Sequence, residues 1–439
     1  MAARETITVF YERFAVGSIH LSATGELSFE YDPRWLGTRG NFPLSVTLPL
    51  QPGRFTDEVI TPWLANLLPE EEQLVAMSRA LGLATSDALA ILREIGGDTA
   101  GAISIGEPSI RKDWIYTSLQ DHYGRITESE ALARHFEDLG KRPFLAGEDG
   151  VRLSLAGGQK KTALAVLDQD GKPKLGLPQL TDLLAIPKKG APSTIIIKPD
   201  NPRLPGIVEN EAYCMTLADL IGLPVAECTI LDAGGRTALA IARYDRVLRS
   251  DGALRRLHQE DFAQANGIYP GQKYEKGTVP GLDMAGLLLT GRHLPPIDAL
   301  ALHDQAIFNL LVANTDAHAK NYSMLLGNEL SMAPLYDVSS VLPWEHVNQY
   351  HAQKIAGKRR KPADVAPQHW DEMARSAGLN ASALRRRAGE LIDAMVANRV
   401  EATERISSLP GTTPEMVEYV AELVEGNALR IGGRLRAAA

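Results

Sequence analysis

The feature of this sequence that most constrains its fold is a change of hydrophobic pattern near residue 245. Before that point, short alternating segments such as Ile7–Tyr11 and Gly25–Tyr31, and the β-branched run Ser193–Lys198, are typical of strands. After Gln259 the apolar residues recur at helical spacing, most clearly in the segment Pro296–Ala313. A β-rich first half joined to a helical second half indicates an α+β protein with two lobes.

Several shorter segments carry their own structural predictions. Alternation predicts that Leu44, Val46, Leu48 and Leu50 share one face of a strand. Val151–Leu155 and Thr162–Leu167 are predicted to form a hairpin whose tip, Ala156–Lys161, is rich in glycine. Short strands are predicted at 228–231 and 237–241, and helices at 57–68, 71–81, 86–95, 209–221, 367–409 and 414–437.

Length and charge limit the domain organisation and the kind of partner. A chain of 439 residues is long enough for two or three structural units. We predict an N-terminal β-rich subdomain at 1–108, an N-lobe at 109–245 and a helical C-lobe at 246–439. The formal net charge of −8 argues against a protein that coats nucleic acid over its whole surface, although it leaves room for a local basic patch.

Cysteine content and hydropathy predict the compartment. The two cysteines, Cys214 and Cys228, are too few for a disulfide framework in so long a chain, and no histidine cluster joins them in metal-ligand spacing. The segment Met1–Glu5 lacks the apolar run of a signal peptide. No stretch of about 18 uncharged apolar residues could span a membrane. We therefore expect reduced core thiols, no membrane partner and a cytoplasmic protein.

A spacing of two polar residues after the helical segment 296–313 indicates phosphoryl transfer. Protein kinases orient the accepting hydroxyl with an Asp that is followed five positions later by a metal-binding Asn. Asp316 and Asn321 have this separation, and Tyr336-Asp337 follows further along the chain. A carboxylate at Asp337 could chelate Mg²⁺ on the phosphates of ATP. An Asp and an Asn five apart are common in surface loops, so the order of all three residues carries the argument.

Upstream residues complete the set that ATP chemistry needs. Lys198 ends an apolar strand, where an unpaired charge would be costly, so a carboxylate partner is expected. Glu211 could fill this role from the following helix, and Glu209 is an equal candidate on spacing alone. The tip Ala156–Lys161, which we call the phosphate loop, has small residues that let backbone N–H groups approach phosphate. It matches no standard phosphate-loop motif.

Ordered matches along most of the chain resemble the HipA family of serine/threonine kinase toxins from bacterial toxin–antitoxin pairs. The resemblance is carried by the segments Phe42–Leu50, Asn66–Pro69, Glu94–Gly96 with Asp98 and Gly101-Ala102, Leu153–Gly157, Lys161–Leu164, Arg243–Arg246, Gln259–Asp261, Thr315–Asn321 and Pro334–Asp337. It implies a two-lobed, protein-kinase-like α+β fold with an added β-rich N-terminal subdomain and an all-helical C-terminal lobe.

The resemblance also implies roles for individual residues. Asp316 would be the catalytic base, while Asn321 and Asp337 would hold Mg²⁺. The ATP site would be lined by Ala156, Gly157, Gly158, Gln159, Lys160, Lys161, Lys198, Ala242, Arg243, Tyr244, His318, Lys320, Asn321, Tyr336 and Asp337. Within this set, Ala242, Arg243 and Tyr244 would form the hinge beside the adenine. His318 is expected to support the catalytic loop, the segment Thr315–Asn321 that carries Asp316.

Regulation and partners are implied in the same way. Ser154 resembles the family's autophosphorylated serine, and a phosphate there would add about −1.5 to −2 charge beside the phosphate loop and repel ATP. The expected partners are a helix-turn-helix antitoxin of the HipB type, operator DNA through that complex, and a protein substrate such as an aminoacyl-tRNA synthetase.

Two other functions and one basic segment stay open from the sequence. A small-molecule kinase would share the same Asp, Asn and Asp order, and a catalytically silent co-repressor would bind the antitoxin without chemistry. The cluster of basic residues at 354–361 could contact DNA phosphates, steer an acidic or tRNA-bound substrate, or form a solvated loop; its members are Lys354, Lys358, Arg359, Arg360 and Lys361.

Overall fold

A five-stranded antiparallel sheet begins the chain. In this computed structural model residues 3–274 and 281–437 are described, and every predicted site residue lies within these ranges. The strand order is β4-β3-β2-β1-β5. The strands are β1 (Ala3–Tyr11), β2 (Phe14–Ser22), β3 (Leu27–Tyr31), β4 (Arg54–Phe55) and β5 (Ile103–Ile105). The helices of this region are α1 (Pro33–Leu36), α2 (Asp57–Ala65), α3 (Glu71–Leu81) and α4 (Ala88–Ile95).

The predicted strand across residues 44–50 is wrong. Residues 41–50 form turns, with one isolated bridge between Ser45 and Leu48. Leu44 and Leu48 are fully buried, whereas Leu50 is exposed. The alternation in sequence reflects alternate burial of side chains in an irregular segment. The backbone N–H groups of Leu44 and Val46, which a sheet partner would otherwise bind, donate to the Tyr31 hydroxyl and to the Glu260 side chain.

A second antiparallel sheet forms the N-lobe, in the order β11-β12-β10-β7-β9-β6 with β8 paired to β7. Its strands are β6 (Ile115–Ser118), β7 (Thr162–Leu167), β8 (Pro173–Lys174), β9 (Leu183–Lys188), β10 (Ile195–Pro199), β11 (Cys228–Asp232) and β12 (Thr237–Ala242). Its helices are α5 (Leu119–Tyr123), α6 (Glu128–Leu139) and α7 (Ile207–Leu220).

The predicted hairpin of 151–155 with 162–167 is also wrong. Residues 151–155 form no strand; they make one isolated parallel bridge, between Leu153 and Asp98 of the N-terminal subdomain. Strand β7 pairs instead with β8, β9 and β10. Spacing along the chain could not show this, because the partner of the segment lies about fifty residues earlier (153 − 98 = 55).

Helices dominate the C-lobe. They are α8 (Phe262–Ala265), α9 (Met284–Thr290), α10 (Pro296–Leu311), α11 (Pro367–Ser376), α12 (Ala381–Ser407) and α13 (Pro414–Ala437). The predicted helical stretch 367–409 is therefore two helices. Gly378 takes the left-handed φ of 71° after α11, and the Asn380 side chain accepts the Ala383 N–H at 2.9 Å to start α12.

The predicted all-helical C-lobe needs a correction, since its described residues also include five short strands. A hairpin joins β13 (Arg246–Leu248) to β14 (Leu254–Arg256), and a three-stranded sheet joins β15 (Gln259–Asp261), β16 (Ser323–Leu326) and β17 (Leu330–Met332). Strands of three or four residues are too short to show alternation clearly. The pairing of β15 with β16 also closes a long stretch of chain, which no local pattern predicts.

Among the described residues, two large hydrophobic cores and one small cluster of Ala165, Leu167 and Ala185 hold these elements together. One core runs from the N-terminal sheet into the N-lobe sheet and so crosses the predicted boundary at residue 108. The other joins α7 to the helices of the C-lobe. The boundaries themselves stay predictions. Within the described ranges, none of the helices combines the length and the hydropathy that a membrane span requires.

Candidate active site

A cleft of about 330 Å³ lies between the N-lobe and the C-lobe. The structure brings nearly all of the predicted ATP-site residues to its walls. Those that line the cleft are Ala156, Gly157, Gly158, Gln159, Lys161, Lys198, Ala242, Arg243, Tyr244, Asp316, His318, Lys320, Asn321, Tyr336 and Asp337. Lys160 does not line it, because this side chain is exposed and its ammonium points towards Gly140.

Lys198 stands between two carboxylates in what we call the lysine-centred cluster (Lys198, Glu211, Asp337). Its Nζ donates at 2.6 Å to Glu211 Oε1 and at 2.6 Å to Asp337 Oδ1. The open choice between Glu209 and Glu211 is thus decided by the structure, where the ion pair forms with Glu211. Strand β10 delivers the lysine and helix α7 delivers the glutamate.

Burial and charge act against each other in this cluster. Burial raises the pKa of Glu211 to about 7, with Lys198 opposing the shift. Burial would also raise the pKa of Asp337, but Lys198 and Lys161 outweigh it and hold that pKa well below its usual range. Asp337 is therefore ionised at neutral pH, as a metal ligand must be.

The donor set fits a Mg²⁺ ion of the kind that binds together with nucleotide phosphates. Asn321 Nδ2 donates to the backbone carbonyl of Asp316 at 2.9 Å, which leaves the amide oxygen of Asn321 as the free ligand atom. Asp337 has a left-handed φ of 57°, a conformation that costs free energy in a non-glycine residue and is often found at functional sites. One carboxylate and one amide are typical of Mg²⁺ sites that rely on phosphate oxygens and water for the other ligands.

The loop after α10 presents Asp316 to the cleft. Helix α10 ends at Leu311, and Ala313 takes a left-handed φ of 56° that turns the chain. The amide of Asp316 donates to Asn314 Oδ1 at 3.2 Å, while its carbonyl accepts from the backbone N–H of His318 at 2.6 Å. The Asp316 side chain remains exposed, so its carboxylate can reach a hydroxyl in the cleft.

A tyrosine that the sequence did not single out contacts the expected base. The Tyr274 hydroxyl donates a hydrogen bond to Asp316 Oδ1. The ring of Tyr274 also packs edge-on against His318, with 5.0 Å between ring centroids. Burial and the Asp316 charge raise the pKa of Tyr274, so the phenol stays protonated and donates. A phenol oxygen therefore stands where an acceptor hydroxyl would meet Asp316.

The phosphate loop closes the cleft from the N-lobe side. Gly157 has a φ of 104°, and a Cβ there would lie 2.9 Å from Lys161 Nζ, so the position requires glycine. Burial lowers the pKa of Lys161 to about 8, an effect that Asp337 opposes. Ser154 is fully buried, and its hydroxyl donates to the backbone carbonyl of Leu67 at 2.7 Å.

The expected hinge residues face the cleft unequally. The N–H groups of Ala242 and Arg243 are bonded inside the protein, to Glu227 and Thr194 carbonyls respectively. The Arg243 guanidinium is held in a buried ion pair with Asp245 at 2.7 Å. For these two residues, contact with an adenine would therefore have to come from other main-chain atoms.

The Tyr244 ring, in contrast, packs along the cleft. It stacks on the ring of Tyr336, with 5.8 Å between the centroids and 29° between the planes. The Tyr336 hydroxyl in turn donates to the backbone carbonyl of Lys320 at 2.9 Å. This ring pair thereby connects the segment that follows β12 to the loop that carries Lys320.

A second charged cluster lies across the cleft, which we call the glutamate-centred cluster (Glu70, Lys273, Lys320). Lys273 Nζ lies 2.6 Å from Glu70 Oε2, and Lys320 Nζ lies 3.0 Å from Glu70 Oε1. Burial alone would raise the pKa of Glu70, but the two lysines outweigh it and lower the pKa to about 2. Sequence reasoning missed Glu70, Lys273 and Tyr274. The one available signal was that Glu70 directly follows the family segment 66–69.

These elements define a two-lobed protein of the protein-kinase-like class. A lysine–glutamate ion pair on one lobe faces an Asp, an Asn and a second Asp on the other, in the chain order that kinases use. Such an arrangement can bind a nucleoside triphosphate and bring an acceptor hydroxyl to a carboxylate base.

The chain belongs to the HipA family. Residues 7–106 match the HipA N-terminal domain and residues 153–400 match the HipA-like C-terminal domain. Two relatives support the same assignment. Y4mE of Sinorhizobium fredii, a protein named as a kinase, is 35% identical over 424 residues, which is 96% of this chain and 97% of the relative. The serine/threonine-protein kinase toxin HipA of Shewanella oneidensis is 30% identical over 354 residues, which is 77% of this chain and 76% of the relative.

A solved structure has the same fold along almost the whole chain. It is the Shewanella oneidensis toxin–antitoxin complex of HipA, HipB and operator DNA, with a TM-score of 0.80 and 25% sequence identity. The match covers 98% of each chain. The family resemblance and the kinase-like α+β fold expected from the sequence are thereby confirmed.

Proposed function

We propose that this protein is the kinase toxin of a toxin–antitoxin pair, acting in the cytoplasm. It transfers the γ-phosphate of ATP, with Mg²⁺, to a serine or threonine hydroxyl of a cellular protein. The observation that carries the proposal is the convergence of Lys198, Asp316, Asn321 and Asp337 on one cleft. Membership of a family whose relatives are named as kinases supports it.

The chain's own residues have distinct tasks in this reaction. Lys198 is held by Glu211 so that its ammonium can meet the α- and β-phosphates of ATP. Asn321 and Asp337 would hold Mg²⁺, which supplies charge neutralisation on the phosphates when it is bound. Asp316 accepts the proton as the acceptor oxygen bonds to the γ-phosphorus and the bond to the ADP oxygen breaks.

Ser154 is proposed as an inactivating autophosphorylation site. Because its hydroxyl is buried against Leu67, phosphate can be added only when the phosphate loop moves outward. The added charge of about −1.5 to −2 could not return to that buried position. The loop would then stay open, and ATP binding would be lost.

The partners proposed for this chain are a helix-turn-helix antitoxin of the HipB type and operator DNA. The solved complex of a relative with HipB and operator DNA supports both. In the basic segment 354–361, Arg359 and Lys361 lie over the ring of Tyr350, at 5.1 and 5.8 Å from its centroid. Lys358 and Arg359 are exposed and could meet DNA phosphates. Neutralising them should flatten the salt dependence of operator binding by the complex.

The substrate proposal is tested with a bacterial extract, ATP and Mg²⁺. Phosphoproteomic comparison of the wild type with Asp316→Ala should reveal new phosphoserine or phosphothreonine on few proteins, with an aminoacyl-tRNA synthetase among them. Phosphate on a sugar, antibiotic or lipid head group and none on protein would support a small-molecule kinase. Unchanged toxicity of Asp316→Ala in cells would support a silent co-repressor.

A further inference from the structure

The segment Asn66–Glu71 of the N-terminal subdomain touches both loops of the cleft. On the phosphate-loop side, the Leu67 carbonyl accepts the Ser154 hydroxyl at 2.7 Å. The backbone N–H of Glu70 also donates to the carbonyl of Gly157 at 3.2 Å. All of these contacts on the segment's side use main-chain atoms, so they do not depend on the side chain of Glu70.

On the catalytic-loop side the same segment uses two side chains, those of Asn66 and Glu70, and one main-chain carbonyl, that of Asn66. Lys320 Nζ is 3.0 Å from the carbonyl oxygen of Asn66, 3.0 Å from Asn66 Oδ1 and 3.0 Å from Glu70 Oε1. Asp261 Oδ2 lies 3.9 Å away from the same ammonium. The two Asn66 oxygens accept hydrogen bonds from Lys320, and the Glu70 carboxylate adds an ion pair at 3.0 Å. Lys320 is therefore engaged by the N-terminal subdomain, and its role in binding ATP stays a prediction.

The position of Lys320 in the chain gives this contact a consequence. Lys320 directly precedes Asn321, the proposed metal ligand, whose amide nitrogen is bonded to the carbonyl of Asp316. A shift of Lys320 would therefore displace Asn321 and, through that hydrogen bond, Asp316. Glu70 is fully ionised and buried between Lys320 and Lys273, so loss of its charge would leave two lysines without their common partner.

We propose that Glu70 is a positioning residue for phosphoryl transfer. Its carboxylate fixes the catalytic loop through Lys320, while its backbone fixes the phosphate loop through Gly157. The N-terminal subdomain thus fixes the positions of the two loops relative to each other across the cleft. This inference rests on the proposed kinase function and deepens it, since it assigns a catalytic task to a subdomain outside the kinase lobes.

The variant Glu70→Gln separates the contact of the Glu70 carboxylate with Lys320 from that of the Glu70 backbone with Gly157. It is made in a Ser154→Ala background so that self-modification does not interfere. Formation of ADP is measured against ATP concentration, with Mg²⁺ and a desalted bacterial extract as acceptor. Because the backbone bond to Gly157 survives, the KM for ATP should change less than about threefold. Because Lys320 loses its charged partner and keeps only the two Asn66 oxygens, kcat should fall about tenfold to a hundredfold.

Matched variants exclude a purely structural effect. Glu72→Gln makes the same charge change at an exposed position of α3 and should leave kcat unchanged. Glu70→Asp should recover part of the lost kcat. Lys320→Gln should reproduce the kcat loss without raising the KM for ATP, and the double variant Glu70→Gln/Lys320→Gln should lose no more than the single variants, as expected for residues that act as a unit.

Three outcomes would decide the matter. A normal kcat in folded Glu70→Gln would overturn the inference, even if its melting temperature fell. A raised KM for ATP with normal kcat in Lys320→Gln would overturn it too, because Lys320 would then bind ATP directly. If neither the wild type nor the Ser154→Ala parent forms ADP, the proposed kinase function fails instead. Should Glu70→Gln not fold, Lys320→Gln alone carries the test.

Discussion

The two charged clusters that flank the cleft have opposite composition. The lysine-centred cluster places Lys198 between the carboxylates of Glu211 and Asp337, so one positive charge meets two negative ones. The glutamate-centred cluster places Glu70 between Lys273 and Lys320, so one negative charge meets two positive ones.

This difference distinguishes a cluster that can bind a ligand, the lysine-centred one, from a cluster whose charges are already paired within the protein, the glutamate-centred one. The lysine-centred cluster leaves the carboxylate of Asp337 partly exposed, which suits the arrival of a metal ion with nucleotide phosphates. In the glutamate-centred cluster all three side chains are buried. The first cluster is therefore expected to serve the chemistry, and the second to hold the loops that perform it.

The largest expected effect comes from removing the proposed metal ligand of the first cluster. Asp337→Ala should lower kcat for ADP formation by at least about a thousandfold, since metal stabilisation of phosphoryl transfer is worth several kcal/mol. Circular dichroism should show that the variant remains folded. A rate within tenfold of the wild type would remove Asp337 from the proposed metal site.

A smaller loss is expected when the lysine of the same cluster keeps its charge but changes its shape. Lys198 Nζ meets two carboxylates at 2.6 Å, and the planar guanidinium of arginine cannot reproduce that compact geometry. Lys198→Arg should lower kcat/KM for ATP about a hundredfold. The exposed Lys172→Arg serves as the control and should behave as the wild type.

The two glutamates should make stability depend on pH in opposite directions. The pKa of Glu70 is lowered from 4.5 to about 2, so its contribution is present above pH 4.5 and is lost as the pH falls towards 2. The pKa of Glu211 is raised from 4.5 to about 7, so its contribution is present below pH 4.5 and is lost as the pH rises towards 7. Each shift corresponds to about 3 kcal/mol of unfolding free energy.

Denaturant unfolding across these two pH windows checks this contrast. Glu70→Gln should remove the loss of stability on the acid side, and Glu211→Gln should remove the loss between pH 4.5 and 7. If both variants flattened the same pH window, the proposed difference between the clusters would be wrong.

The smallest expected effect concerns the phenol beside the base. Tyr274→Phe removes the hydrogen bond to Asp316, which an acceptor hydroxyl would otherwise displace. We expect the KM for the protein acceptor to fall about threefold to tenfold, in line with the net contribution of one hydrogen bond, and kcat to stay the same. A higher KM would instead indicate that Tyr274 helps to bind the acceptor.

The sequence predicted the lysine-centred cluster because kinases use these residue types in a known order. Lys198, Asp316, Asn321 and Asp337 each stand at the end of a recognisable strand or helix, or at a fixed spacing from one another. The same local signals predicted β10, β12, α3 and α13 close to their observed bounds.

The glutamate-centred cluster could not be predicted in this way. Glu70 and Lys320 are 250 residues apart in the chain (320 − 70), and only the packing of the N-terminal subdomain on the cleft brings them together. The failed hairpin at 151–155 has the same cause, since Leu153 and Gly157 find their partners, Asp98 and Pro69, in that subdomain. Long-range contacts of this kind leave no periodic trace in the sequence.

The most direct test of the central claim is incubation with γ-labelled ATP and Mg²⁺, followed by phosphopeptide mapping of the wild type, Asp316→Ala and Ser154→Ala. The account predicts label on Ser154 in the wild type that disappears in both variants. Label at Ser154 that persists in Asp316→Ala would contradict the assignment of Asp316 as the base. An absence of label from both the protein and a bacterial extract would contradict the kinase function itself.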